Sequence, residues 1–259
     1  MISIRHVEVT RYVTPLREGG SLPAIVECDD GFLYVLKFRG AGQGKKALIA
    51  ELIGSEVARA LGFRVPEVVF ASLDEAFGRI EGDEEIQDLL KASTGLNLGL
   101  HYLSGAITFD PVASPVKPDF AARLVWLDAY LMNVDRTHRN TNMLLWKKEI
   151  WLIDHGASLY FHHQWNDADY ARKPFAMIRD HVFLPDAESP ALYTDEFRAR
   201  LTNERIAEIT NAIPEAWLDD PYFQSPEKNR NAYRNFLISR LEQADFFTNE
   251  INHARKALV

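Results

Sequence analysis

The chain has one cysteine in 259 residues, Cys28, so no intramolecular disulfide can staple it and a reducing compartment suits it best. Cys28 itself reads as a small buried strand residue rather than a nucleophile. Nowhere is there an apolar run of the roughly eighteen residues that a membrane helix needs. The start of the chain carries Arg5, Arg11 and Arg17 without a continuous apolar core, so it does not read as a signal peptide. Basic residues are not in excess either: 29 Lys and Arg against 37 Asp and Glu give a formal charge of −8, which argues against a broad nucleic-acid-binding face. No internal repeat or low-complexity tract occurs. Together these absences predict a cytoplasmic protein with no membrane span and no nucleic-acid partner.

Two tempting ligand motifs also lack parts. Gly40-Ala41-Gly42-Gln43-Gly44-Lys45-Lys46 looks like a phosphate loop, but Arg39 stands where its first glycine belongs and Lys46 where a Ser or Thr should hold magnesium. It reads as a linker into a helix over Ala47 to Leu61. His155, His162 and His163 suggest zinc, yet no cysteine or spaced acid completes a ligand set, and adjacent histidines on a strand would face opposite ways. Gly19, Gly20 and Ser21 are a weaker candidate for covering phosphates: two glycines let backbone amides come close, but a full Gly-x-Gly-x-x-Gly is missing and a plain connector fits as well.

What is present is a core-forming composition, 47% apolar and 25% charged, sufficient for one large or two modest domains. Strands are expected over Ile2 to Val13, Ala24 to Cys28 and Phe32 to Phe38, the last two joined by the turn Asp29-Asp30-Gly31. Further strands are expected at Glu67 to Ser72 and Leu96 to Leu103, with a short helix over Asp83 to Ala92. Phe120, Leu124, Leu127, Tyr130 and Leu131 recur at helical spacing up to about Asn133. The polar stretch Asp135 to Asn140 follows, and then two apolar runs, Asn142 to Trp146 and Glu149 to Ile153, form a hairpin ending in Asp154-His155-Gly156. Later, Thr202 and Ser225-Pro226 read as helix starts, the second with a stripe of Tyr233, Phe236, Leu237, Leu241 and Ala244.

The helix, loop and hairpin bring an acid and an amide on one side near a second acid on the other, an arrangement suited to phosphoryl transfer. Asp135 and Asn140 have the Asp-x-x-x-x-Asn spacing of a kinase catalytic loop, and Asp154-His155-Gly156 stands where Asp-Phe-Gly would. Each acid alone would fit a turn; the ordered set is more specific. With the upstream Val35-Leu36-Lys37, these residues resemble the HipA-like branch of the protein-kinase-like superfamily and, more distantly, phosphatidylinositol kinases. The resemblance covers residues from about 10 to 165. It departs from the lipid kinases' Asp-Arg-His, because Thr137 intervenes and His138 comes one place later. His155 replaces phenylalanine, and no Ala-Pro-Glu follows.

The resemblance implies an α+β, bilobal protein-kinase-like fold, with a strand-rich lobe over residues 1–104 and a mostly helical lobe over 105–259. ATP and Mg2+ would lie between them. Asp135 would orient or deprotonate an acceptor hydroxyl, Asn140 and Asp154 would hold metal, and Lys37 would bind the nucleotide phosphates. Arg139 or His138 would steady the transferring group, and Tyr102 and Leu103 would be the hinge beside the adenine. A serine/threonine protein kinase is the first expectation, a small-molecule or lipid kinase the second, and a catalytically silent binding module the third. The chain is shorter than the full HipA toxins with their extra amino-terminal subdomain, so dependence on a DNA-binding antitoxin is not implied. The carboxylate partner of Lys37 is open between Glu51 and Glu56. The helical wheel sets Glu56 among Ile49, Leu52, Ile53 and Ala60, whereas the resemblance selects Glu51, flanked by Ala47, Gly54, Ser55 and Ala58, whose small side chains permit a close approach.

Overall fold

A computed structural model describes residues 2–16, 22–80, 82–165 and 170–258. Gly19, Gly20 and Ser21 lie outside the described residues. Three strands come first: β1 (Arg5–Pro15), β2 (Ala24–Cys28) and β3 (Leu33–Lys37). Gly31, at a φ of +78°, takes the left-handed turn between β2 and β3, and Ala24 then pairs with Leu36 and Val26 with Tyr34. Alternate residues face inward, as the period of a strand requires. After the helix α1 (Gly44–Ala60) come β4 (Val68–Leu73), the short α2 (Phe77–Ile80), α3 (Glu84–Ala92) and β5 (Gly95–His101). The five strands close into a barrel in the order β1-β2-β3-β5-β4, with β1 and β4 parallel. Its interior holds Val7, Val26, Tyr34, Leu36 and Cys28, the last simply a buried packing residue.

The short strand β6 (Ile107–Thr108) leads to α4 (Pro118–Leu131) and the hairpin of β7 (Met143–Trp146) and β8 (Glu149–Leu152), all three strands forming one small sheet. The rest is helical: α5 (Thr194–Arg200), α6 (Asn203–Asn211), α7 (Pro226–Glu242) and α8 (Asp245–Lys256), with several 3-10 turns between. Thr202 and Ser225 accept the backbone N–H groups of Arg205 and Lys228, the capping bonds their positions predicted. The α1 helix starts earlier than expected, at Gly44, so the end of the glycine-rich linker is helical. The α8 helix was not foreseen; it packs Phe247 against Trp126 and Tyr130 of α4 and buries Ile251 in the same core.

The α1 helix is buried on nearly every side from Leu48 to Ala58, because it lies between the barrel and the helices and belongs to the larger core. Polar cross-ties fix it there. Lys46 donates to the His162 carbonyl at 2.7 Å and pairs with Asp220 at 2.7 Å, while Arg200 donates to the Leu61 carbonyl at 2.9 Å. Trp217 adds a bond from its indole to the Leu96 carbonyl at 3.1 Å.

His162 lies in a 3-10 turn, Tyr160–His163, rather than on a strand, and no group of three potential metal ligands occurs among the described residues. Burial first, then the neighbouring His163 and Lys46, pushes the His162 ring well below its ordinary value of 6.5. The folded protein therefore keeps it neutral while the unfolded chain takes up a proton below 6.5. Its contribution is complete above that pH and is lost as pH falls below it. Melting temperature should accordingly drop between about pH 7 and about pH 5, and His162→Asn should flatten that drop. An unchanged slope in the variant would assign the pH dependence to other groups.

Candidate active site

Lys37, the last residue of β3, turns its amine toward the end of the β7–β8 hairpin. There it donates to Asp154 Oδ1 at 2.7 Å and lies 3.8 Å from Glu51 on α1. Burial alone would pull the amine down, but the carboxylates of Glu51 and Asp154 outweigh it and hold it raised, so Lys37 is charged. Glu56 points elsewhere and pairs with Arg59 at 3.3 Å. Glu51 is shielded from solvent and, against the upward push of burial, the adjacent Lys37 and then His155 hold its carboxyl below the usual carboxylate range. Asp154 has a φ of +55°, a left-handed conformation uncommon for a residue with a side chain and frequent at functional sites.

The loop from Asn133 to Asn142 is held from beneath. The α4 helix ends at the left-handed Met132, and the buried Asp128 on its last turn then anchors the loop. Asp128 accepts from Arg136 Nε at 2.6 Å and Asn133 Nδ2 at 2.9 Å, and lies 2.9 Å from His181 Nε2. The Phe183 N–H donates to His181 Nδ1 at 3.1 Å, which leaves Nε2–H as the donor to Asp128. Burial pushes the Asp128 carboxyl up, but Arg136 and His181 overcome this and keep it ionised far below the carboxylate range. Arg136 is itself buried and donates to the carbonyls of Thr141 at 3.2 Å and Asn142 at 2.6 Å, clamping the two ends of the loop together.

On that support Asp135 faces outward. Its Oδ2 accepts from Asn140 Nδ2 at 2.8 Å and from Asn142 Nδ2 at 3.1 Å, and the Asp135 N–H donates to Asn133 Oδ1 at 3.1 Å. Both amides use the same carboxylate oxygen, so Oδ1 is the one turned to solvent or ligand. Likewise Asn140 spends its nitrogen on Asp135 and keeps its carbonyl oxygen for another partner. Thr137 and Asn140 exchange backbone bonds of 2.9 and 3.2 Å, a tight turn that exposes His138 and Arg139 at its tip.

A cleft of about 960 Å³ joins the Lys37–Asp154 corner to the Asn140 turn, with Glu51 and Asp135 set back from its lining. Lys37, Asn140 and Asp154 line it together with His138, Arg139, Tyr102 and Leu103. The Tyr102 N–H is already donated to the Leu33 carbonyl at 2.9 Å, and the Leu103 carbonyl accepts from Ala106 at 3.0 Å. Asp128, Arg136, Asn142 and His181 were missed in the sequence. A carboxylate inside the apolar run Val125 to Leu131 was the available signal, because a buried charge demands a partner. For His181 no signal existed, since only the tertiary fold brings it to the loop.

The crystal structure of the Helicobacter pylori proinflammatory kinase CtkA is similar to this chain with a TM-score of 0.55 at 11% identity, covering 99% of this chain and 100% of that one. The Golgi casein kinase with Mn/ADP bound is 13% identical over 94% of this chain and 73% of that one, with a TM-score of 0.46, too loose a likeness to build on. No curated protein matches the sequence. The likeness to CtkA identifies the fold as that of the protein kinases, built here of mixed strands and helices. The sequence profile described as HipA-like kinase matches residues 8–250, nearly the whole length, and the chain belongs to that family.

Proposed function

We propose that this protein is an ATP- and magnesium-dependent phosphotransferase that acts on an alcohol group, a serine/threonine protein kinase in the first instance. The observation that carries the reading is the meeting of Lys37, Glu51 and Asp154, from a strand, a helix and a hairpin distant in sequence, with Lys37 and Asp154 lining the cleft and Glu51 buried beside Lys37. Two lobes, 1–104 and 105–259, would then enclose the nucleotide. The donor set fits magnesium, which takes one or two protein ligands and completes its shell with phosphate and water. Asp154 offers a carboxylate with a 42% exposed side chain, and Asn140 offers the amide oxygen that Asp135 leaves unused. Bound magnesium would neutralise phosphate charge. Lys37 would hold the nucleotide phosphates, and the free Oδ1 of Asp135 would take the hydroxyl proton of the acceptor. Tyr102 and Leu103 would border the adenine, His138 or Arg139 the transferring phosphoryl group. A silent binding module would be expected to have lost the lysine or a metal ligand, and none is lost.

Asp154→Ala should abolish the thermal stabilisation that ATP with magnesium gives the unaltered protein, because the phosphate charge would lose its cation. An undiminished shift would remove Asp154 from the metal site. Incubation with labelled ATP and a cell extract, followed by locating the label, tests the acceptor: label on serine or threonine supports a protein kinase, and label on a lipid or metabolite replaces it. Between the two helix acids, Glu51→Gln should impair transfer far more than Glu56→Gln, since only Glu51 stands beside Lys37. The reverse order would place the functional acid on Glu56.

A further inference from the structure

Glu51 and His155 are both sealed from solvent, yet neither oxygen of the carboxylate nor either nitrogen of the ring has a hydrogen-bond partner among the described residues. A buried charge left in that condition is costly, so the groups around it must be able to reach it. Two donors flank the carboxylate. Oε1 lies 3.8 Å from His155 Nδ1, and Oε2 lies 3.8 Å from Lys37 Nζ. Each gap exceeds a normal hydrogen bond by about 1 Å, so the carboxylate lies between two donors that are near it but not yet bonded to it.

The helix backbone beside the ring has no side chain to hold it off. A Cβ on Gly54 of α1 would stand 2.5 Å from the Cβ of His155, so the imidazole rests against a stretch of helix that has no side chain. Gly156 is less constrained, since a Cβ there would only come into ordinary contact with Glu51 Oε2, at 3.6 Å. The Ser158 N–H donates to the His155 carbonyl at 3.0 Å and holds the backbone of this turn.

We propose that His155 is a positioning residue whose Nδ1–H donates to Glu51 and thereby holds that carboxylate on Lys37. Lys37 is shared between two acids, and Asp154 is the nearer at 2.7 Å. When Asp154 engages metal, Lys37 depends on Glu51, and a Glu51 pinned by a second donor is already oriented to receive it. A phenylalanine at position 155 would fill the same space without supplying a donor, so the histidine adds a directional bond to what is otherwise packing.

The inference rests on the phosphotransferase reading, and two substitutions separate packing from donation. His155→Phe keeps a ring and loses the donor; His155→Asn loses volume but puts an amide N–H close to where Nδ1 stood. His155→Phe should lower kcat/KM roughly tenfold, largely through a raised KM for ATP, and His155→Asn should recover most of that loss, as removal and return of one bond to a charged group would give. Phenylalanine near wild type with asparagine impaired would show a packing role and overturn the proposal. Nitrogen-15 shifts of the His155 ring in the unaltered protein give a readout independent of activity and of how well the variants fold. A ring protonated at Nδ1 is expected; a neutral ring protonated at Nε2 alone would overturn the proposal. Unaltered protein that transfers no phosphoryl group would sink the phosphotransferase reading, and the ring spectrum would still decide the role of His155.

Discussion

Asp135→Ala should lower phosphoryl transfer by about three orders of magnitude while the affinity for ATP stays close to that of the unaltered protein. General-base and orienting groups contribute roughly 10²- to 10⁴-fold, and in the proposed function Asp135 would combine both tasks, since two amides fix one oxygen and leave the other for an acceptor. Nucleotide affinity should survive because, under the proposed function, Lys37 and Asp154 would hold it from other elements, with Glu51 steadying Lys37. Asp135→Asn should fall nearly as far, as it keeps the shape but cannot take a proton. Transfer within a few-fold of normal would make Asp135 a turn residue. Loss of affinity equal to the loss of turnover would move it to the nucleotide.

Arg136→Met should be the most destabilising single change in the loop. It leaves Asp128 ionised in a site closed to water, with only His181 and Asn133 as donors, and it frees two carbonyls from the Arg136 clamp. Breaking a buried ion pair from one side costs about 3–5 kcal/mol. For a chain of this size that is a fall of roughly 10 °C in melting temperature. Asp128→Asn in the same background should restore part of the loss, because the carboxylate that suffers is gone. A drop below about 1 kcal/mol would mean that Asp128 finds another partner or takes up a proton.

The barrel strands were legible because they alternate and because Asp29-Asp30-Gly31 has turn chemistry of its own. The loop acids and the hairpin were legible for the same kind of reason, since Asp135, Asn140 and Asp154 sit at chain spacings that local structure preserves. What stayed hidden depended on long-range closure. Nothing near Asp128 in sequence announces His181, and nothing near Arg5 announces that β1 would pair with β4. Glu51 shows the limit clearly: the helical wheel set Glu56 among the apolar residues, but α1 is buried almost all round, so the wheel no longer separates an inner from an outer face. The choice fell to which side of the helix meets Lys37, and the small residues around Glu51 were the better guide.

The parallel pairing of β1 with β4 also dictates an order of events as the chain leaves the ribosome. Arg5 to Glu8 emerge first, but their partners Val69 to Ser72 come only after β2, β3 and the whole of α1 have been made. Until then one side of β1 presents unpaired N–H and C=O groups, an edge open to neighbouring chains. Closure of the barrel ends that exposure by removing the edge itself. The α1 helix, made inside this interval, cannot bury the side that meets α6 until α6 exists, so strand and helix alike wait on later parts of the chain to be secured.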